Sequence, residues 1–144
     1  MFDKLLVPVD GSECSLKAAR IAAEIARRFG SKVTVIHAVH LPASVAGAEA
    51  AGMATDEVAL EALEEAAAEI LRSASEALGL PEEQVTQEVL HGHPGEAICR
   101  LAGDGKYDLI VMGHRGLSAI RSLVSGSISD NVNHHAPCSV LMVR

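Results

Sequence analysis

Three glycines and several hydroxyls are gathered in the spacing Gly113-x2-Gly116-x9-Gly126-Ser127, directly after the apolar run Leu109–Met112. A segment of this kind can hold an anion with main-chain amides. Glycine reaches positive φ readily and carries no Cβ, so Gly113 and Gly116 would let backbone N–H groups turn toward a bound phosphate. Gly126-Ser127 opens a predicted helix, whose first amides are unpaired and sit at the positive end of the helix dipole. Ser127 and Ser129 add hydroxyl donors, and Arg115 and Arg121 bring positive charge to the same stretch. A plainer reading is two turn glycines and a helix start, with solvated arginines between them. The combination, placed after a buried strand and before a capped helix, favours a cradle for a di- or triphosphate. It is neither a Walker A loop nor a G-x-G-x-x-G dinucleotide fingerprint, since neither run occurs.

The other chemistry-bearing groups are weaker. Asp10-Gly11-Ser12 is ordinary turn chemistry, although a carboxylate there also suits the hydroxyls of a ribose. His91, His93 and Glu96 fall short of the three or four placed ligands that a zinc site needs, so no metal site is expected. His134 and His135 are adjacent on a predicted helix and point about 100° apart, which fits capping of the helix end. Cys14 lies near a helix N-terminus, where a thiol pKa can fall, but no histidine partner is identifiable. No G-x-S-x-G elbow occurs either. No catalytic residue is assigned.

These groups need elements to position them. Lys4–Val9 is a short apolar run closed by Asp10-Gly11-Ser12, a buried strand leading into a turn. Ser12 is a good N-cap, and Leu16, Ala19, Ala23, Ala26 and Phe29 then recur at helical spacing up to Gly30. Lys32–Val39 is the second strand. Residues 41–55 read as a loop, and Asp56–Leu78 as a long helix ended by Gly79 and Pro81, with its glutamates on a solvated face. Val85–Leu90, Leu109–Met112 and Ser139–Val143 complete the strands, with a turn and short helix over Gly92–Ala102 and a helix over Ser127–His134. Continuously apolar strands alternating with helices predict one α/β domain over residues 1–144: a five-stranded parallel sheet with helices on both faces, Rossmann-like, in the order 3-2-1-4-5. In such a sheet, ligands bind beyond the carboxyl ends of the strands where the winding reverses, here between strands 1 and 4. Asp10–Ser12 and Gly113–Ser127 are the loops at that point.

Composition narrows the function classes. The 144 residues are 49% hydrophobic and 22% charged, which is globular, and only 2% are aromatic, so Val, Ile, Leu and Ala must build the core. A formal net charge of −7 without any Lys/Arg run argues against a nucleic-acid partner. Leu41–Thr55 is too short and too weakly apolar to span a membrane, and the first ten residues do not read as a secretory signal. Cys14, Cys99 and Cys138 lie far apart, which fits reduced structural thiols and a cytoplasmic location.

The spacing Gly113-x2-Gly116-x9-Gly126-Ser127 resembles the ATP-binding signature of the universal stress protein family. The likeness runs along nearly the whole chain: "KLLVPVDGSECS" is similar to that family's first strand and turn, and "VLHGHPGEAI" to its third strand and following helix. "YDLIVMGHRG" is similar to its fourth strand, and "SGSISDNVNHHAPCSVLMVR" to its closing helix and strand. By position, the resemblance implies that Asp10 meets the ribose or adenine end of ATP, in a loop shaped by Pro8 and Val9, with Ala38 along the adenine. Met112 would line the nucleotide, Gly113, Gly116, Gly126 and Ser127 would hold the phosphates, and Ile128 and Ser129 would complete the pocket. His114 departs from the family's usual small hydroxyl residue, and Ser139 from its usual proline. The resemblance implies an ATP-binding regulatory protein of the stress response, with Mg²⁺, acting through conformation or an unknown protein partner. It also implies a homodimer paired through Ser139–Val143. No general base accompanies the cradle, so fast hydrolysis is not expected. A slow ATP hydrolase or nucleotide-dependent transferase, and a nucleotide-independent interaction module, stay open as alternatives.

Overall fold

The structure, a computed structural model, describes residues 1–40, 57–114 and 128–144, with Gly47 and Gly52. In chain order the elements are β1 (Lys4–Pro8), α1 (Glu13–Phe29), β2 (Lys32–Val39), α2 (Glu57–Leu78), β3 (Val85–His91), α3 (Pro94–Asp104), β4 (Leu109–Gly113), α4 (Ile128–His135) and β5 (Ser139–Val143). All strand pairs are parallel and the order is 3-2-1-4-5, as the alternation of strands and helices predicts.

Strand alternation divides the core into two layers. Leu5 and Val7 of β1 face α1 and α2, packing with Ala19, Ala23, Leu71 and Leu78. Leu6, Ile36 and Ile110 face the other way, onto Ile98 of α3 and Val132 of α4. Small side chains on α1 (Ala18, Ala19, Ala22, Ala23 and Ala26, all buried) seat that helix on the sheet. Ser12 caps α1 as expected: its Oγ accepts from the Ser15 N–H at 3.2 Å, an interaction worth about 1 kcal/mol.

Three expectations shift. Phe29 leaves the buried face and is 50% exposed; as the last residue of α1 it packs edge-on against Phe2, with ring centroids 5.3 Å apart. β3 is not buried throughout, because it is an edge strand: Thr86, Gln87 and Glu88 are exposed. Gly113 is the last residue of β4, opposite Val143, and does not follow the strand. Among the described residues, no helix is long and apolar enough to cross a membrane.

Candidate functional site

The winding reverses beside β1, with β2 and β3 on one side and β4 and β5 on the other. The ladder to β2 runs to the tip of β1, at Pro8↔Ile36. The ladder to β4 holds at Leu5↔Leu109 and Leu6↔Ile110 and does not continue to the strand tips, Pro8 and Gly113. The tips of β1 and β4 are therefore not laddered to each other, at the topological position where doubly wound sheets place a ligand crevice.

On the β1 side, Val9 is buried and its N–H donates to the Ile36 carbonyl at 2.8 Å. The Val9 carbonyl accepts from Nδ1 of His37 at 2.8 Å. A carbonyl can only accept, so this contact places a proton on Nδ1. His37 was not among the residues singled out by sequence; its bond joins positions 28 residues apart, which no local pattern reveals. Asp10 Oδ1 accepts from the Ser12 N–H at 2.9 Å, closing an Asx turn, and the Asp10 N–H donates to Ser15 Oγ at 3.4 Å. Gly11 sits at φ +82°, the left-handed conformation this turn requires, and a Cβ there would lie 3.3 Å from Ile70. Oδ2 of Asp10 has no hydrogen-bond partner among the described residues. Ala38 is half-buried near the tip of β2, opposite Leu90.

On the β4 side, Met112 is buried and stands opposite Met142. Positive φ is not what Gly113 supplies, since its φ lies outside that region. Its role is close approach: a Cβ would lie 3.0 Å from both the carbonyl carbon and Sγ of Cys14, and 3.1 Å from the Cys14 oxygen. The Cys14 thiol donates to the Val143 carbonyl at 3.1 Å, and the His114 N–H donates to the same oxygen at 2.7 Å. Ser129, buried in the first turn of α4, donates through its hydroxyl to the His114 carbonyl at 3.3 Å. Both main-chain groups of His114 therefore tie β4 to β5 and α4. Ile128, half-buried, begins α4. Gly116, Gly126 and Ser127, with Arg115 and Arg121, lie outside the described residues.

The remaining candidates separate from the crevice. Burial pushes the Cys99 and Cys138 thiols up, and at Cys138 the charge of Asp108 and the neighbouring Cys99 add to the rise. A raised thiol pKa disfavours the thiolate, so neither is an activated nucleophile. His135 Nδ1 bonds the Asn131 carbonyl one turn earlier, at 2.9 Å, within the end of α4. Among the described residues, no group of three or more His, Cys, Asp or Glu side chains is close enough to hold a metal ion.

The sequence model of the universal stress protein family matches residues 1–144. The chain is 39% identical over 145 aligned residues to "Universal stress protein in QAH/OAS sulfhydrylase 3′ region" of Thermus aquaticus, covering 100% of both chains. Among solved structures it superposes on universal stress protein UspA from Lactobacillus plantarum with a TM-score of 0.76, at 26% identity, covering 99% of this chain and 98% of that one. It also superposes on a universal stress protein in complex with cAMP, with a TM-score of 0.74 at 27% identity, covering 99% and 97%. A full-length match to the family's sequence model, carried on the five-stranded sheet described above, shows that the chain belongs to the universal stress protein family.

Proposed function

We propose that the crevice between the tips of β1 and β4 binds ATP with Mg²⁺, and that occupancy sets the protein's conformation or its affinity for a partner protein in a stress response. The observation that carries this reading is the β1–β4 ladder stopping short of the strand tips, with an uncommitted Asp10 oxygen on one side and the Cβ-free Gly113 on the other. Oδ2 of Asp10 accepts from ribose hydroxyls, Pro8 and Val9 shape the loop, and Ala38 lies along the adenine. Met112 lines the nucleotide. Gly113, Gly116, Gly126 and Ser127 hold the phosphates, with Ile128 and Ser129 completing the pocket. The solved relative bound to cAMP supports an adenine ligand. When bound, ATP supplies a polyanionic tail for main-chain amides and a signal that follows its concentration.

Equilibrium dialysis of nucleotide-stripped protein is expected to give saturable ATP binding, weakened by Asp10→Ala and lost in Gly116→Val. No binding at millimolar ATP would overturn the reading, and unchanged affinity in Gly116→Val would overturn the site. Steady ADP release, lost in Asp10→Ala, would replace the regulatory reading by an enzymatic one.

The proposed assembly is a homodimer paired through Ser139–Val143. β5 lies at the edge of the sheet, apolar, with Leu141 37% exposed, and such edges invite pairing. Sedimentation equilibrium at micromolar protein is expected to give twice the chain mass; a single 15.0 kDa species contradicts the dimer.

A further inference from the structure

A groove of about 370 Å³ lies between α2 and the strands β2 and β3. Val39, Leu60, Leu63, Leu71 and Val89 give it apolar walls, and Glu64, Gln87 and His91 form the polar part of its lining. Val39 faces the α2 side of the sheet, whereas Ala38, its neighbour, alternates to the other side. Val39 and Leu71 are buried, while Ala68 and Glu64 are exposed at the lip. The volume falls in the range of roughly 300–1,000 Å³ of small-molecule sites, and the pattern of apolar walls with a few polar groups is theirs as well.

The polar lining selects the ligand's charge. Among the described residues of the lining, none is Lys or Arg. Glu64 has no ion pair among the described residues, and Glu61 and Glu65 flank it on the same helix. Arg72, the single cation of α2, is held by Glu69 and Glu76. Gln87 is fixed by its amide, which donates to Ser75 Oγ at 2.8 Å, and it keeps a carbonyl acceptor. A carboxylate and an amide carbonyl beside apolar walls suit a donor-bearing cation with a hydrocarbon body. An anion would meet the Glu64 carboxylate, with no Lys or Arg among the described lining residues to offset it and His91 the one group of the described lining that can carry positive charge.

We propose that this groove is a second binding site, taking a small amphipathic amine whose alkyl or aryl body lies on Val39, Leu63 and Val89 and whose ammonium pairs with Glu64. The site does not depend on nucleotide binding. Its test is an NMR titration of the full chain with n-hexylammonium, run beside n-hexanol and n-hexanoate. Hexylammonium is expected to saturate with a Kd of about a millimolar, ordinary for so few heavy atoms, with shifts centred on Leu63, Val89 and His91. Glu64→Gln should weaken it by about threefold, the scale of one exposed ion pair. Ala68→Trp should fill the groove from the lip and abolish binding. Both positions are exposed, so the fold is retained, as far-UV circular dichroism would verify. Equal binding of hexanoate or hexanol overturns the charge selection. No saturable shift with the amine, or affinity unchanged in both variants, overturns the site. ATP affinity measured on the same variants is expected to stay constant, which keeps this outcome separate from that of the nucleotide crevice.

Discussion

Gly113→Val is expected to lower ATP affinity by more than about tenfold, which is 1.4 kcal/mol or more, and to reduce stability by about 1–3 kcal/mol. The cause is the approach of α1 to the end of β4. Two of the three atoms a new Cβ would meet, at 3.0 and 3.1 Å, belong to the Cys14 main chain and cannot rotate aside. The strand tip must move instead, and it carries His114 and, through it, the contacts to β5 and α4. Gly113→Ala should show a smaller effect of the same sign. Adding Cys14→Ala should recover only part of it, because that change removes the Sγ contact and leaves the backbone ones. Dialysis with ATP and thermal melts of the three variants check this. Wild-type affinity and Tm in Gly113→Val would remove the close-approach account.

The second large effect is one of stability. Ile110 is fully buried in β4, between Leu6 of β1 and Val140 of β5, in the layer that holds Ile98 and Val132. Ile110→Ala deletes three carbon atoms there, and a packed interior relaxes only partly around the void. A loss of about 2–5 kcal/mol is expected, or a fall in Tm of roughly 6–15 °C for a domain of this size. Calorimetry measures it directly. A fall of less than about 2 °C would mean that the α3–α4 layer collapses onto the gap, contrary to the dense packing expected of a core. ATP affinity at a temperature where the variant is folded should change far less than in Gly113→Val, since Ile110 lies two residues below Met112 and touches the crevice only through the strand.

Much of this was legible in the sequence, for reasons that can be named. β1 and β4 are short, almost wholly apolar runs because both faces of a parallel sheet are covered, so "KLLVP" and "LIVMG" identify central strands without tertiary information. Ser12 announces α1 because capping is local. The Asp10-Gly11-Ser12 turn is local as well, and both its carboxylate bond and its positive φ follow from residue type. What the sequence hides is non-local. Gly113 looked like a residue that bends the chain, yet it serves a helix packed across from it, and Cys14 carries no mark of being that neighbour. The His37–Val9 bond is hidden for the same reason, and the exposure of β3 reflects its place at the edge of the sheet. Phe29 fits the helical period and is the last residue of α1, but its half-exposed ring rests on Phe2, a partner no local pattern reveals.

The carbonyl of Val143 accepts from Cys14 and from His114 at once. The Cys14 contact closes a loop of 129 residues in sequence separation. Closing so long a loop costs configurational entropy before any contact repays it, and such distant pairings slow folding. The bonds that fix the tip of β4 therefore cannot form until β5 has docked. A ribosome-bound chain lacking β5 would have four strands and their helices available to pair, but not the Val143 carbonyl that ties down the tip of β4. The anchoring of the β4 tip and the completion of the sheet arrive together.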